Sequence, residues 1–265
     1  MGNPMSHPTL PGERHEIILR RLAEDGRVLA STLSRELGAS EDTIRRDLRD
    51  LADAGRCRRV YGGALPISLS SATLREREVQ AQARKAALAR AAVAIIRPGD
   101  VLLIDAGTTN TAIARALPEG QALTVVTNAP SIADALTGRS GIDVVILGGR
   151  LDHRSGGTLG ARTVDEVRRV RADLCFVGTC AVAADFGTSA FDQEEAALKA
   201  AIMQASAGVV AVVTSDKLET CAPFIVAPTS ILSHLVVEAG ADPTLLSPFA
   251  DAGVAIHVAG EATDG

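Results

Sequence analysis

Apolar residues recur three and four positions apart in three short stretches near the start of the chain, which is the spacing of helices that bury one face. Ser31 is the expected N-cap of the second helix, and Gly38 is its expected end. Ser40 is the expected N-cap of the third helix, because its hydroxyl can accept a hydrogen bond from the first turn. The apolar stripes of the three helices are Ile18 and Leu22, then Leu33 and Leu37, then Ile44, Leu48 and Leu51.

A strand-like segment follows the third helix. The sequence CRRVYGGALP at 57–66 predicts a strand that runs into a Gly-Gly turn, and residues 28–29 are a possible partner strand. Three short helices followed by a small β-wing are typical of a winged helix-turn-helix. We therefore predict a mostly α-helical DNA-binding domain over residues 1–70.

The second half of the chain alternates short β-branched runs with helix-compatible segments. Strands that are apolar throughout and alternate with helices indicate a largely parallel sheet covered on both faces, so residues 98–265 are predicted to form a Rossmann-like α/β domain. The Arg- and Ala-rich segment between the two domains, 71–97, is predicted to be a helical connector. The seven predicted strands are 101–105, 123–127, 142–147, 173–178, 208–215, 232–238 and 254–260.

Composition narrows the possible functions. Aromatic residues make up only 2% of the chain, so an aromatic stacking platform for single-stranded nucleic acid is not expected. The four cysteines form no C-x-x-C pair and share no metal-ligand spacing with the five histidines, so we expect no metal, no cofactor and the reduced thiols of a cytoplasmic protein. No apolar run reaches the ~18 residues of a membrane helix.

Positive charge is concentrated on the third helix and the wing. The net charge of the chain is −5, yet residues 44–61 hold six arginines against three aspartates. Such a local surplus predicts contact with nucleic acid, although the arginines could instead pair with the aspartates on a solvated helix face. The residues predicted to contact DNA are Ser40, Thr43, Arg45, Arg46, Arg49, Arg58 and Arg59.

Residues 39–64 resemble the N-terminal motif of the DeoR family of bacterial transcriptional regulators, S-x-x-T-I-R-R-D-L followed by R-V-x-G-G-A. Ala39 departs from it, since the family often has Val there. The second half also looks like the family's C-terminal effector domain, which is similar in fold to ribose-phosphate isomerase. Its matching segments are DAGTTN at 105–110, VTN at 126–128, LGG at 147–149, EAALK at 195–199 and SDKL at 215–218.

The resemblance implies two partners, double-stranded operator DNA and a phosphorylated sugar. Loops that follow parallel strands meet at one edge of the sheet, where Thr hydroxyls and loop N–H groups suit phosphate and carboxylates suit sugar hydroxyls. Ala181 and Thr214 depart from the family pattern, which implies an unusual effector or pose. The implied effector contacts are Asp105, Gly107, Thr108, Thr109, Asn110, Thr127, Asn128, Gly148, Gly149, Arg150, Glu195, Lys199 and Lys217.

The main hypothesis is therefore a DNA-binding regulator, a repressor of a carbohydrate-related operon, with no catalytic residues. Operator half-sites call for at least a dimer, so a homo-oligomer, dimer or tetramer, is expected. One alternative is a sugar-phosphate isomerase-like enzyme with an accessory DNA-binding domain, in which Asp105 or Glu195 would be the general base. Another is an oligomerisation domain without ligand, in which each polar loop is only a structural turn.

Overall fold

The chain divides into two compact units, Met1–Ala72 and Thr73–Gly265. The computed structural model describes residues 10–25, 27–54, 56–60, 62–66 and 81–261. Each unit has its own hydrophobic core. No helix of the described ranges is long and apolar enough to cross a membrane.

The first unit is a winged helix-turn-helix, as the sequence predicts. Its three strands form an antiparallel sheet in the order β1-β3-β2, so residues 28–29 do supply a partner strand, which pairs with the second strand of the hairpin. The elements are α1 (Pro11–Asp25), β1 (Val28–Leu29), α2 (Ala30–Leu37), α3 (Glu41–Asp53), β2 (Cys57–Val60) and β3 (Gly63–Pro66).

The helix ends of the first unit follow the predicted signals with one exception. Gly38 ends α2 in the left-handed conformation with φ of 61°, and the Ser40 hydroxyl caps α3 by accepting the Thr43 N–H at 3.2 Å. The prediction of Ser31 as N-cap is wrong, because α2 begins at Ala30 and its N-cap position is Leu29, two residues before Ser31. The Ala30 N–H donates to the Gly62 carbonyl at 2.7 Å, so backbone of the wing satisfies a group that a capping side chain would otherwise serve.

The second unit contains a seven-stranded sheet, two smaller β-elements and helices on both faces. Its first part consists of α4 (Gln82–Val93), β4 (Val101–Ile104), α5 (Thr108–Ala116), β5 (Leu123–Thr127), α6 (Pro130–Leu136), β6 (Ile142–Ile146), β7 (Arg150–Leu151), β8 (Thr158–Leu159) and α7 (Ala161–Val167). Its second part consists of β9 (Ala172–Val177), β10 (Ala181–Ala183), β11 (Gly187–Ala190), α8 (Gln193–Gln204), β12 (Ser206–Val212), β13 (Phe224–Ala227), β14 (His234–Val237), α9 (Pro243–Asp251) and β15 (Ala255–Val258).

All seven predicted strands lie in one parallel sheet, in the order β15-β14-β12-β9-β4-β5-β6. Alternate residues of β4 face different cores, with Leu103 on one side and Leu102 and Ile104 on the other, which explains why the strand is apolar throughout. The chain adds strands outward from β4 on one side and from β9 on the other. The order therefore reverses between β4 and β9, where doubly wound folds have their ligand crevice.

The described part of the predicted helical connector, 71–97, is helical as predicted, but it packs into the second unit and is not a connector. Helix α4 belongs to the core of the second unit, where Leu88 is fully buried and Ala92 packs with it. The alanines that made the segment resemble a spacer are small side chains that allow α4 to approach α5 closely. Residues 67–80, which complete the predicted connector, lie outside the described ranges.

Two small β-elements are absent from the sequence prediction. Strands β7 and β8 form a two-stranded hairpin, and β10, β11 and β13 form an antiparallel sheet. These strands have two to four residues each, too short to show a period.

Candidate functional site

Helix α3 presents arginines to solvent on the side opposite its buried stripe. Arg45, Arg46 and Arg49 are exposed, while Ile44 and Leu48 are buried in the core. The Arg45 guanidinium lies 2.9 Å from the Glu41 carboxylate one turn earlier, an exposed pair of small energetic value. Arg46 and Arg49 form no ion pair with any described residue. The structure therefore does not support the alternative in which the aspartates of α3 pair with its arginines.

Asp47, the aspartate of the R-R-D-L motif, has a structural role. It is buried, and its carboxylate accepts hydrogen bonds from the Arg14 guanidinium at 2.7 and 3.0 Å. The hydrogen bond to Asp47 raises the pKa of Arg14 above its ordinary value, against the opposing effect of burial. This pair ties α1 to α3 and fixes the orientation of the arginine-bearing face.

The other predicted DNA contacts lie at the start of α3 and on the wing. The Ser40 and Thr43 hydroxyls lie 2.9 Å apart and are engaged at the helix cap. Arg59 is exposed and lines, with Arg45 and the Gly62–Gly63 turn, a groove of about 190 Å³ between α3 and the wing. The backbone of Arg58 lies in β2, and its side chain lies outside the described part of the structure.

A cleft in the second unit lies where the strand order reverses. Its walls are the loop after β4, which leads into α5, and the loop after β9. Chain segments from α8 and from the turn after β12 complete it. The lining residues are Ala106, Gly107, Thr108, Thr109, Asn110, Ser155, Gly178, Thr179, Cys180, Glu195, Val212 and Lys217.

A buried ion pair at this cleft joins the loop after β4 to α8. The Lys199 ammonium lies 2.6 Å from Asp105 Oδ2 and 3.1 Å from Glu195 Oε1. The same Asp105 oxygen accepts the Gly178 N–H at 2.9 Å. Burial opposes the charge on Lys199, but the two carboxylates outweigh it and raise the pKa of the amine above its ordinary value. The ion pair therefore ties the loop after β4 to α8, and the bond from Gly178 ties the same loop to the loop after β9.

Gly178 is required for this close approach. A Cβ atom at that position would lie 2.3 Å from the Ala106 carbonyl oxygen and 2.9 Å from Asp105 Oδ2. Any side chain would therefore push apart the two strand ends that form the cleft.

Three of the residues predicted to contact the effector use their side chains in hydrogen bonds to backbone groups. The Asn110 amide donates to the carbonyls of Asp105 and Phe176 at 2.8 and 2.9 Å. The Thr127 hydroxyl donates to the Ile104 carbonyl at 2.6 Å, and Asn128 Oδ1 accepts the Ala106 N–H at 3.0 Å. All three side chains are buried, so they shape the floor of the cleft from beneath.

The groups at the cleft surface have complementary chemistry. Gly107, Thr108 and Thr109 bring the N-terminus of α5 to one side, and the first-turn N–H groups of a helix have no intrahelical acceptor and attract anions. Lys217 Nζ donates to the Thr179 carbonyl at 2.8 Å, and Glu195 contributes a carboxylate. The cleft therefore offers donors that suit an anion and a carboxylate that suits a hydroxyl.

Cys180 also borders the cleft, with its Sγ 3.5 Å from Glu195 Oε1. Burial, with the nearby Glu195 charge second, raises the pKa of the thiol to about 11. The thiol is therefore protonated at neutral pH and offers a weak donor rather than a nucleophile.

The structure does not bring Gly148, Gly149 and Arg150 to the cleft. The Gly148 N–H donates to Glu166 at 2.8 Å, and a Cβ at position 149 would lie 2.1 Å from the Thr163 hydroxyl. Arg150 is exposed and pairs with Glu194 at 2.8 Å. The reason is topological, because β6 is the edge strand of the sheet and its following loop turns into the β7–β8 hairpin.

The residues that line the cleft but were not predicted as effector contacts are Ala106, Ser155, Gly178, Thr179, Cys180 and Val212. The end of the predicted strand 173–178 was a usable signal for the residues at 178–180, but only with the knowledge that this strand lies beside β4. Of the two departures from the family pattern, Ala181 is buried in β10 and Thr214 is buried beside the turn that carries Lys217. No cluster of three metal-ligand side chains occurs in the described ranges.

Each unit matches a known protein-family domain. Residues 14–69 match the DeoR-like helix-turn-helix domain, and residues 80–239 match the DeoR C terminal sensor domain. The HTH-type transcriptional regulator GlpR of Haloferax volcanii is 36% identical over 79% of this chain and 82% of its own length. The glycerol-3-phosphate regulon repressor of Escherichia coli K12 is 33% identical over 77% of this chain and 82% of its own length.

Ribose 5 phosphate isomerase A from Neisseria gonorrhoeae aligns at 18% identity and a TM-score of 0.36 over 50% of this chain and 52% of its own. A likeness of that size supports no inference.

Proposed function

The chain belongs to the DeoR family of transcriptional regulators, and from that premise we propose that it represses a carbohydrate-related operon under the control of a phosphorylated sugar bound in the second unit. The observation that carries the proposal is the cleft at the reversal of strand order, where a helix N-terminus faces a lysine and a carboxylate. A relative named as a glycerol-3-phosphate regulon repressor supports the choice of a phosphorylated ligand.

DNA recognition is assigned to the exposed face of α3 and to the wing. Arg46 and Arg49 are exposed on that face, and Arg45 shares the adjoining groove with Arg59. Arginine can contact guanine O6 and N7 in the major groove with two hydrogen bonds, whereas Ser40 and Thr43 suit the phosphate backbone. The arginines of α3 are therefore the candidates for base contact.

In the second unit, the phosphate of the effector is assigned to the start of α5. Backbone N–H groups of Gly107, Thr108 and Thr109 and the two Thr hydroxyls provide donors there. Lys217 supplies counter-charge, and Glu195 suits a sugar hydroxyl. Asp105, Lys199, Asn110, Thr127 and Asn128 act beneath these groups, through the bonds that fix the loops.

Binding without catalysis accounts for this arrangement. The isomerase alternative needs a free general base, and Asp105 is held in a buried pair with Lys199. Glu195 is the one carboxylate among the described lining residues, and it too lies within 3.1 Å of Lys199. We therefore assign no reaction, no cofactor and no metal to the protein. We infer that it acts in the cytoplasm as a homo-oligomer, because paired half-sites require two recognition helices.

The effector assignment is tested by a thermal-shift screen with phosphorylated sugars, glycerol 3-phosphate and their unphosphorylated parents. A ligand at 100 times its dissociation constant stabilises the native state by about 2.7 kcal/mol, which shifts the melting temperature measurably. Stabilisation by phosphorylated compounds alone is expected. Equal shifts with the unphosphorylated parents would remove the phosphate from the proposal.

The location of the site is tested with Thr108→Ala and Thr109→Ala combined, against the control Ser140→Ala in an exposed turn. Duplexes selected from a random library by the purified protein supply the DNA for measurements with and without the best compound of the screen. The double variant is expected to keep its DNA affinity and lose its response to the compound. A wild-type response would show that the loop at 105–110 is only a structural turn.

A further inference from the structure

Glu238, which follows β14, lies at the centre of a hydrogen-bonded network outside the cleft. Its carboxylate accepts two hydrogen bonds from the Arg84 guanidinium, both at 2.6 Å. The same carboxylate accepts the Ser215 N–H at 2.8 Å and the Ser215 hydroxyl at 2.7 Å. A single buried side chain therefore holds two separate chain segments together.

The network is ionised at neutral pH. Burial alone would raise the pKa of Glu238, but the bonds from Arg84 and Ser215 outweigh it and lower the pKa below its ordinary value. Asp216 adds a longer contact to Arg84, at 3.8 Å. Charge-assisted bonds of this geometry are stronger than neutral ones, and the two-pronged contact of Arg84 fixes direction as well as distance.

The two segments joined by Glu238 have different neighbours. Ser215 begins the 3₁₀ turn Ser215–Lys217, whose last residue lines the cleft and bonds to Thr179. Arg84 lies in the first turn of α4, the first described element after the segment that leads from the DNA-binding unit. A continuous set of contacts thus runs from the cleft through Lys217, Ser215 and Glu238 to the start of α4.

We propose that Glu238 and Arg84 are positioning residues that hold the Lys217 turn in place and pass a change at Lys217 to the first turns of α4. An anion that draws Lys217 away from the Thr179 carbonyl would move the turn, and Glu238 would carry that movement to Arg84. The proposal rests on the proposed function of the cleft and names its route of regulation. It describes a contiguous chain of contacts between the cleft and α4, and packed side chains and hydrogen-bond networks of this kind are one means by which two sites are coupled.

Amide hydrogen exchange of the full chain tests the route without DNA or effector. Lys217→Met removes the contact to Thr179, and in the wild-type background it is expected to raise exchange at amides 85–89 of α4 by about 5-fold or more, the lower end of typical coupling. In the Glu238→Gln background the same substitution is expected to add nothing. Arg162→Gln, which breaks an exposed pair with Glu166 in α7, is the control and should leave α4 unchanged.

Arg84 provides a second, independent variant, since its side chain is half exposed and its loss leaves the core intact. Arg84→Gln should abolish the transmission from Lys217, and Arg84→Lys should restore part of it, because a cation opposite Glu238 is retained. A purely structural clamp would instead give the same effect of Lys217→Met in every background, and that result would overturn the proposal. If the thermal-shift screen is positive while Lys217→Met has the same effect in every background, the proposed function is retained and only the route through Glu238 and Arg84 is rejected.

Discussion

Both units build their proposed functional surface on an ion pair whose aspartate lies within a family motif and is buried. In the first unit, Asp47 pairs with Arg14 and ties α3 to α1. In the second, Asp105 pairs with Lys199 and ties the loop after β4 to α8. In each case the motif residue with the strongest charge interaction faces inward, and its neighbours in sequence face solvent or the cleft. Each motif therefore combines residues that are proposed to contact a partner with residues that hold them in position.

The two surfaces differ in what they expose. The first unit presents long arginine side chains on an open helix face, which suits a polymer whose phosphates and bases extend beyond the protein. The second presents backbone N–H groups and short hydroxyls in a cleft, with its strongest charges paired beneath. Such a cleft suits a small anion that must be surrounded. Substitutions in the buried ion pairs and substitutions in the exposed side chains test these two roles separately.

The largest effect is expected from Lys199→Met. It leaves the Asp105 carboxylate buried opposite no cation, and breaking a buried pair in this way costs about 3–5 kcal/mol. The free energy of unfolding of the second unit, from urea titration followed by circular dichroism, should fall by that amount. Asp105→Asn combined with Lys199→Met should recover part of the loss, since neither charge then remains.

Arg150→Gln is the matched control for Lys199→Met. It breaks an ion pair of similar length, 2.8 Å to Glu194, but one that is exposed. Exposed pairs contribute about 0–1 kcal/mol, so little change is expected. Equal losses for Lys199→Met and Arg150→Gln would contradict the role assigned to burial.

A smaller loss is expected from Asp47→Ala in the first unit. The variant removes hydrogen bonds from Arg14, which keeps partial contact with water, and bonds to charged groups contribute about 1.5–3 kcal/mol. The unfolding transition of the first unit should move while that of the second stays in place. DNA affinity should fall as well, because α3 loses its anchor to α1. An unchanged first transition would show that the apolar stripe alone orients α3.

Sequence patterns predicted the larger elements well for a physical reason. The inner strands of the parallel sheet are buried on both faces, so their sequences are apolar throughout and stand out from the flanking helices, as at 101–104 and 123–127. Helix ends were predictable where a side chain or glycine makes the cap, as at Ser40 and Gly38. The start of α2 was not predictable, because the Ala30 N–H donates to the Gly62 carbonyl of the wing, which is distant in sequence.

The cleft was only partly predictable, because strand order is a property of the whole sheet. Residues 105–110 could be placed after a buried strand, yet nothing in the sequence shows that β9 pairs with β4 and brings Gly178 beside Asp105. Likewise, nothing showed that β6 is an edge strand whose loop turns away with Arg150. Whether a polar residue bonds to backbone, as Asn110 does, depends on contacts across 66 positions of chain.

Arg46→Ala removes a side chain that is proposed to contact DNA and that positions no other residue, since it is exposed and makes no ion pair within the described ranges. Stability should stay unchanged, while DNA binding should weaken by about 1–3 kcal/mol at one base pair if the arginine reads a base. A phosphate contact would instead weaken all sequences alike and lower the salt slope by about one. Fluorescence anisotropy at several salt concentrations separates the two, with Arg168→Ala on the second unit as a control of equal charge. Wild-type affinity would remove Arg46 from the interface.

The smallest effect concerns acid stability, and it falls on the second unit. The bonds from Arg84 and Ser215 hold the pKa of Glu238 below its ordinary 4.5 despite burial. The unfolded chain therefore binds the proton more readily, so the carboxylate stabilises the fold above about pH 4.5 and loses that contribution as the pH falls through its folded pKa. Each tenfold difference between the folded and unfolded acid constants corresponds to about 1.4 kcal/mol.

Glu238→Gln should flatten the decline in stability below pH 4.5, measured by urea titration between pH 3 and 7, and leave its shape unchanged from pH 6 to 7. Asp152 and Glu166, whose pKa values are also lowered, retain their part of the decline in the variant. Parallel curves for variant and wild type down to pH 3 would show that Glu238 does not carry the charge on which the network depends.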